Sequence, residues 1–141
     1  MPPLNLEDYV ILEIHCDANH NCPSNLEEVQ PPTINVKSTV KRNKDDENRY
    51  LSVLNIYFGD SEELCAYYGH IVIWGIFVTN EDISNDEKRK YVGITGNSML
   101  YSAARDFLLT ITNRGPNPSI ILPTISFKEE HFVDDKEEND T

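Results

Sequence analysis

Residues that could bind a metal ion are concentrated near the start of the chain, where His15, Cys16 and Asp17 are followed by His20 and Cys22. Imidazole and thiolate are the usual zinc ligands, but a structural site needs four such groups in a tetrahedron, and this spacing matches no established zinc motif. His15 and Cys16 are also neighbours in a predicted strand, so their side chains should point to opposite faces. We therefore expect a polar strand end rather than a metal site, and no cofactor.

Nucleophilic catalysis is the second chemistry to consider. A catalytic cysteine needs a histidine base and oxyanion donors around it. Cys65 or Cys16 could pair with His70 or His131, but no local motif marks any of these residues, and the chain has neither a nucleophile elbow nor a phosphate-binding glycine loop. The three cysteines are an odd number without paired spacing, which favours free thiols over a disulfide framework. We expect that the protein is not an enzyme.

Aromatic side chains form the third candidate group, because their rings can hold the apolar side chains of another polypeptide. They are concentrated in one part of the sequence: Tyr50, Tyr57, Phe58, Tyr67, Tyr68, Trp74, Phe77 and Tyr91. One interpretation makes them core and cross-strand partners; the other makes some of them the lining of a groove. Strand alternation places Tyr68 and Trp74 on one face and Phe77 on the other. Our candidate groove residues are Tyr68, Trp74 and Phe77.

The charge of the chain limits its partners. A net charge of −12 over 141 residues argues against nucleic acid, whose phosphates would be repelled, and favours basic or amphipathic partners. No apolar run approaches the roughly 20 residues that span a bilayer, and the acidic start lacks the basic region of a signal peptide. We expect a cytoplasmic protein without stable membrane insertion.

The first two thirds of the sequence predict a sheet. Four segments are rich in β-branched and aromatic residues, and they are separated by stretches of Asn, Asp, Ser, Gly and Pro. The polar turn of residues 43–48 joins the second and third segments into a hairpin, and the fourth is the longest apolar run, which predicts the most buried strand. The four segments are Tyr9–Cys16, Thr33–Arg42, Arg49–Phe58 and Leu64–Thr79.

The segment from Met99 to Asn113 has the period of an amphipathic helix. One apolar row repeats every four positions and an adjoining row widens the face: Met99, Ala103, Phe107 and Ile111, then Leu100, Ala104 and Leu108. Gly115 is expected to supply a left-handed residue after the helix, and Pro116 cannot continue it. The helix should therefore end near Asn113.

An earlier helical start is predicted near Asp86, because Ser84 and Glu87 have the spacing of a capping box. Glycine and threonine around residues 93–97 predict an interruption before the main helix. We expect residues 1–127 to form a single domain. Residues 128–141 carry seven acidic residues against two lysines, which predicts an acidic tail that is disordered or forms a frayed helix.

Motifs in and after the helix resemble those of the SecB family of protein-export chaperones, whose helix reads roughly LFPYARE and is followed by RGxFPxLxLxPxNF. The matching positions are Leu100, Tyr101, Ala104, Arg105, Arg114, Gly115, Pro118, Leu122, Pro123, Ile125 and Phe127. Upstream, Gly75–Phe77 fits the family's GGIF strand motif, with Trp74 in place of its first glycine. Ser102 and Ala103 stand where the family usually has Pro and Tyr. The resemblance covers residues 9–127 and indicates a divergent member.

The resemblance implies an α+β fold, in which a four-stranded antiparallel sheet is covered by a long C-terminal amphipathic helix. It also implies a homotetramer built as a dimer of dimers, whose helices lie between two sheets and bury Met99, Phe107 and Leu108. The implied activity is to hold non-native preproteins, without ATP, before they pass to the translocation motor SecA.

Three acidic positions of the SecB family are implied to dock on the motor. Asp17 matches one acidic position of the family, but the other two positions are occupied by Asn21 and His70. This departure suggests an alternative: a SecB-like chaperone dedicated to one partner, such as an antitoxin or a phage or plasmid client, without a role in translocation. A purely structural oligomer, with no exposed groove, is a third class.

Overall fold

The computed structural model of the chain describes residues 3–128 and 132–134. Its sheet has four long strands, and each hydrogen-bonded pair among them is antiparallel. Within the described residues a fifth strand completes the sheet in the order β1-β4-β3-β2-β5. The strands are β1 (Leu4–Ala18), β2 (Ile34–Arg42), β3 (Arg49–Phe58), β4 (Tyr67–Thr79) and β5 (Phe132–Asp134).

The fold class predicted from the sequence is confirmed: four antiparallel strands are followed by a C-terminal helix. β3 has the predicted bounds, whereas β1 extends beyond its predicted segment at both ends and contains two register shifts, between Leu6 and Asp8 and between Ile11 and Glu13. Such bulges increase the local twist of a strand. The sequence did not predict β5, which pairs in parallel with β2 inside the segment that we expected to be disordered or a frayed helix. Residues 129–131 and 135–141 of that segment lie outside the described part of the chain.

Burial alternates along the central strands because the helix covers only one face of the sheet. On β3 the inward side chains are buried and their neighbours are at least partly exposed; the inward set is Tyr50, Ser52, Leu54, Ile56 and Phe58. Ile71, Ile73 and Phe77 of β4 are fully buried on the same side. We call the uncovered side of the sheet the outer face.

A single helical segment of 28 residues covers the inner face. It consists of α1 (Asn85–Lys90), a π turn (Tyr91–Gly96) and α2 (Asn97–Thr112). Ser84 caps its start as predicted, since its hydroxyl accepts a hydrogen bond from the Glu87 amide at 3.2 Å. The predicted interruption around residues 93–97 is a change of helix type at Tyr91–Gly96 and not a break between two helices. The backbone widens into a π turn there, and Gly96 approaches Phe77 so closely that a Cβ would lie 3.0 Å from the ring.

A buried polar cluster explains why the helix continues through this turn. The Asn97 side chain donates to the Gly93 carbonyl at 2.9 Å and to the Ser38 hydroxyl at 2.8 Å, and it accepts from the Ser52 hydroxyl at 2.6 Å. Asn97, Ser38 and Ser52 are all buried, so losing any one partner would leave an unsatisfied polar group in the core. The cluster therefore fixes the position of the helix over β2 and β3.

The end of the helix differs in one respect from the prediction. The helix ends at Thr112, and Asn113 caps it in a right-handed conformation. In the part of the chain that the structure describes, the glycine with positive φ is Gly59, at 63°, and not Gly115. Gly115 is required for a different reason: a Cβ at this position would lie 2.0 Å from the Tyr67 hydroxyl oxygen.

The proline-rich segment after the helix packs back along α2. Leu122 and Phe127 are buried in the core, and the Phe127 ring meets Tyr101 edge-on with centroids 6.0 Å apart. Arg105 Nε donates to the Leu122 carbonyl at 2.9 Å, and the Tyr101 hydroxyl donates to the Pro123 carbonyl. The side chains of the helix motif thus satisfy backbone carbonyls of the exit segment.

Candidate functional site

An apolar band crosses the outer face of the sheet. Val10 of β1, Trp74 of β4 and Val53 of β3 lie in one cross-strand row, and the next row pairs Ile76 with Leu51. Val10 is 47% exposed and Trp74 is 38% exposed, while the other three side chains are half-buried. We call these five residues the outer strip. No helix covers it in the described part of the chain, so its side chains pack mainly against cross-strand neighbours.

A second aromatic group lies further along the same face. The Tyr57 and His70 rings stack with centroids 4.2 Å apart and planes at 4°, and His70 Nε2 lies 3.4 Å from Asn55 Oδ1. Tyr68 is paired with Asp17 beyond them. Tyr68 and Trp74 are six residues apart on β4, which is about 20 Å along an extended strand. The two candidate groove residues therefore share the outer face without touching.

Phe77, the third candidate groove residue, is not on this face. Its side chain is fully buried on the inner side, and its ring packs against Gly96 of the π turn. Alternation along β4 accounts for the difference, because Phe77 is an odd number of residues from Trp74. The structure therefore corrects this prediction and assigns Phe77 to the core.

A cavity of about 630 Å³ lies next to the outer strip, where the β2–β3 hairpin meets β4. We call it the hairpin pocket. Its apolar lining includes Leu51, Trp74 and Ile76, and its polar lining includes Asp45 and four basic side chains: Lys41, Arg42, Lys44 and Arg49. Sequence analysis missed this site. Residues 41–49 contain four of the chain's 12 basic residues and three acidic ones, and a run without net negative charge in so acidic a chain was the available signal.

The residues predicted to form an oligomer interface separate into two groups. Leu108 is fully buried against the sheet, so it belongs to the core of the subunit and that prediction is corrected. Met99 is 38% exposed and Phe107 is half-buried. The apolar face of α2 has two rows of side chains. The row with Leu108 faces the sheet, and the row with Met99 and Phe107 lies at the edge of the contact between helix and sheet. Only the second row remains available for contacts with another subunit.

The three positions considered for motor docking have distinct environments. Asp17 is exposed near the end of β1. The Asn21 side chain donates to the Ser61 carbonyl, and His70 is held by its stacking on Tyr57. Asn21 and His70 are therefore engaged within the chain.

The candidate metal ligands do not converge. Among residues 3–128 and 132–134, no group of three His, Cys, Asp or Glu side chains could hold a metal ion. His15 is exposed, with its Nε2 atom 3.0 Å from Glu13 Oε1, whereas Cys16 packs against the core on the opposite side of β1. Burial, with a smaller contribution from Asp17, raises the pKa of the Cys16 thiol to about 11.

Cys16 and Cys65 also lack the environment of a nucleophile. Burial is the main cause that raises the pKa of the Cys65 thiol, and a raised pKa disfavours the reactive thiolate. His131, one of the two histidines considered as a base, lies outside the described residues. Neither of the two thiols considered as nucleophiles, Cys16 and Cys65, is therefore activated by its surroundings in the described structure.

Comparison with known families decides the classification. The family model described as SecB, preprotein translocase subunit SecB, matches residues 9–138. The chain belongs to the SecB family. Membership supports a chaperone function, which agrees with an exposed apolar strip on a sheet. No helix within the described ranges has the length and apolar content needed to cross a membrane.

Three proteins illustrate the similarity. The uncharacterized protein MJ0357 of Methanocaldococcus jannaschii is 24% identical over 125 residues, which are 87% of this chain and 79% of that protein. The SecB-like chaperone Rv1957 of Mycobacterium tuberculosis, solved with a ChAD peptide from the HigA1 antitoxin Rv1956, matches 88% of both chains with a TM-score of 0.64 and 13% identity. A Streptococcus agalactiae protein of unknown function matches with a TM-score of 0.47, 15% identity, and 86% and 97% coverage of the two chains. At 13% identity, the Mycobacterium tuberculosis structure shows a shared fold.

Proposed function

We propose that this protein is an ATP-independent holdase that binds extended, non-native preproteins on the outer face of its sheet. The observation that carries the proposal is the outer strip, in which Val10, Trp74 and Val53 form a partly exposed apolar row opposite the helix. Contact with apolar side chains of a client would remove this surface from water at about 25 cal/mol per Å². Such binding depends on area rather than on directed bonds, so it should tolerate many client sequences.

Tyr68 and Trp74, the two groove candidates on the outer face, lie at different places along β4. Trp74 lies in the strip, and Tyr68 lies about 20 Å further along β4, a distance that roughly six residues of extended client would span. We propose that both rings contact the same extended client. Large amphipathic rings suit this role because they contribute apolar area with few rotatable bonds.

We propose further that the chaperone is a homotetramer, a dimer of dimers, and that Met99 and Phe107 of the edge row contribute to its interface. Half-exposed apolar side chains at helical spacing are typical of surface that becomes buried on assembly. In the export role, Asp17 would contribute to docking on SecA.

The experiment that tests the function is suppression of aggregation. A chemically denatured, unrelated protein is diluted into buffer with and without the chaperone, in the absence of ATP, and light scattering is followed. We expect scattering to fall as the chaperone approaches an equimolar amount, while an equal mass of serum albumin has little effect. Unchanged scattering at a several-fold molar excess of folded chaperone would rule out a general holdase.

A second candidate function is that of a chaperone dedicated to one client without a translocation role. Two observations favour it: Asn21 and His70 replace acidic residues of the SecB family, and both are engaged within the chain. The similar fold solved with an antitoxin peptide shows that one SecB-like chaperone binds such a client. Binding of purified SecA, measured by calorimetry in low salt, separates the two functions. Binding that Asp17→Asn abolishes supports the export role, and absence of binding supports the dedicated one.

A further inference from the structure

We propose that the outer face of the sheet selects its client by the order of charges along the client chain, an inference that rests on the proposed holdase function and names its substrate class. The favoured segment is extended, with basic residues at every fourth position on the side toward β1 and acidic residues on the side toward β2. Apolar residues lie between these charges. The register of the four long strands supports the inference.

One border of the outer face is acidic and regularly spaced. Three exposed carboxylates of β1 lie opposite every fourth residue of β4: Asp8 is paired with Ile76, Glu13 with Val72, and Asp17 with Tyr68. Four residues of an extended strand span about 13 Å, so these carboxylates have the spacing of residues i, i+4 and i+8 of an extended client. We call the three carboxylates the acidic border.

A β-bulge produces this spacing. Asp8 and Glu13 are an odd number of residues apart, so regular alternation would place them on opposite faces of the sheet. The register shift between Ile11 and Glu13 inserts one extra residue into β1, and Glu13 then lies on the outer face with Asp8. The bulge therefore aligns the acidic border along one face.

A lysine lies on the opposite border of the outer face. Lys37 of β2 is exposed and shares a cross-strand row with Glu13, because Glu13 is paired with Val72, Val72 with Asn55, and Asn55 with Lys37. Three inter-strand spacings of about 4.8 Å separate the two borders by about 14 Å. This width accommodates one extended chain whose side chains point alternately toward β1 and toward β2.

The surface between the borders suits apolar side chains. The outer positions of β4 and β3 there carry no carboxylate, lysine or arginine: they are Tyr68, His70, Val72, Trp74 and Ile76 of β4, and Leu51, Val53, Asn55 and Tyr57 of β3. The apolar row of Val10 and Trp74 lies between the rows of Asp8 and Glu13. Charged positions thus alternate with an apolar row, which favours a client repeat of one basic, one acidic and two apolar residues.

Other charges near these borders are partly compensated within the protein. Arg49 pairs with Glu7, and its Nε atom lies 3.7 Å from Asp46 Oδ2. Lys41 also has an interaction of its own, so the attraction for acidic client residues is assigned to Lys37. The hairpin pocket beyond contains both signs of charge: Asp45 with Arg42 and Lys44.

Glu13 remains accessible although it has a partner on β1. His15 Nε2 lies 3.0 Å from Glu13 Oε1, and the two side chains are 65% and 51% exposed, respectively. A basic client residue can therefore approach the Glu13 carboxylate from solvent.

Two peptides of identical composition test the order of charges. The in-register peptide repeats Lys-Glu-Leu-Val three times, and the exchanged peptide has Glu-Lys-Leu-Val as its middle repeat. When the outer repeats of the exchanged peptide face Asp8 and Asp17 correctly, its middle repeat sets glutamate against Glu13 and lysine against Lys37. Exposed charge pairs are individually weak, so we expect the parent to bind the in-register peptide about fivefold more tightly at low salt, measured by fluorescence anisotropy. In 0.5 M salt, where the Debye length is about 4 Å, the two affinities should become equal.

A variant that exchanges the two charges of the protein should reverse this preference. Glu13→Lys combined with Lys37→Glu keeps the net charge of −12, so a general effect of charge cannot account for the change. We expect this variant to bind the exchanged peptide about fivefold more tightly than the in-register peptide. The matched control combines Glu28→Lys with Arg114→Glu. Both residues are exposed and lie outside the strands, so this control should keep the preference of the parent.

Circular dichroism establishes that each variant is folded. If the exchange variant unfolds, Glu13→Gln combined with Lys37→Gln tests the same contacts, because it also keeps the net charge and should abolish the preference.

The outcomes separate this inference from the proposed function. Binding of neither peptide to the folded parent would refute the client surface, and the charge order with it. Equal binding of both peptides at low salt would overturn the charge order alone and leave the holdase function in place. A preference that the folded exchange variant retains would also overturn it, because Glu13 and Lys37 would then not determine which client binds.

Discussion

Removal of the Trp74 side chain is the most direct perturbation of the proposed client surface. The ring is 38% exposed, and a fully accessible tryptophan presents about 250 Å², so client contact can cover about 95 Å² of it. At about 25 cal/mol per Å², this area contributes at most about 2.4 kcal/mol to binding. Trp74→Ala should therefore weaken client binding by up to about fiftyfold.

The assay measures the fluorescence anisotropy of a labelled, unfolded peptide titrated with chaperone. Tyr9→Ala is the matched control: Tyr9 is 47% exposed and lies on the adjacent strand, but its partner is Gly75, where an added Cβ would point at Leu100 of the helix. Tyr9 thus belongs to the inner side of the sheet. Its removal takes away a similar exposed aromatic area and should leave client affinity within about twofold of the parent.

The result must be interpreted together with the folded state, since most of the Trp74 ring packs within the sheet. Circular dichroism and sedimentation establish whether the variant keeps its secondary structure and subunit number. A folded Trp74→Ala variant that binds the peptide as tightly as the parent would refute the outer strip as the client surface. A variant that unfolds would show that Trp74 acts mainly as a core residue, and Trp74→Phe would then serve as the milder substitution.

Four further predictions concern stability and assembly. Gly115→Ala should lower the free energy of unfolding by about 2–3 kcal/mol, because the added Cβ would displace the Tyr67 hydroxyl from the carbonyls of Asn117 and Thr112. Urea denaturation measures this loss in the parent and in a Tyr67→Phe variant. If Gly115→Ala costs the same stability in both, displacement of the hydroxyl is not the cause. Phe107→Glu should shift sedimentation from an oligomer toward a 16.2 kDa subunit, and a parent that sediments only as that subunit at micromolar concentration would contradict the assembly. Deletion of residues 135–141 should change the melting temperature by no more than a few degrees, since the segment offers almost no apolar surface to bury; a larger fall would show a structural role. Unfolding free energy should decrease as pH rises from 9.0 toward about 11, because the unfolded Cys16 thiol ionises first, and Cys16→Ala should remove this part of the pH dependence.

The parts of the fold that could be predicted are those in which one local pattern decides the structure. β3 has the predicted bounds because a continuous run of β-forming residues is enclosed by two polar turns. The helix start could be predicted from Ser84 and Glu87, whose contact is local in sequence. The motifs around Tyr101 and Phe127 identified the family, and in the fold these two rings contact each other edge-on.

The parts that could not be predicted depend on partners distant in sequence. The helix continues through a π turn and does not break, because Asn97 forms hydrogen bonds with Ser38 and Ser52, which are 59 and 45 residues away in the sequence. Gly115 is needed because the Tyr67 hydroxyl leaves no space for a Cβ. The sequence pattern predicted only a left-handed glycine after the helix and could not show this contact. Leu108 and Phe107 have similar hydropathy and adjacent positions, so only the docked helix shows which of them faces the sheet. Charge around the hairpin was visible in the sequence, but the cavity depends on Trp74 from another strand.

The two faces of the sheet respond differently to sequence change, and this difference bears on how the chaperone could acquire new clients. Inner-face side chains such as Phe77 and Leu54 are fully buried, and the helix above them is fixed by the hydrogen bonds of Asn97. Substitutions there create cavities or unsatisfied polar groups, which cost several kcal/mol. Outer-strip side chains such as Val10 keep nearly half of their surface in water, so exchange for another apolar residue changes the area offered to a client with little effect on the core. Under the proposed function, client preference can therefore diverge on the outer face while the fold, whose stability depends on the inner face, is maintained.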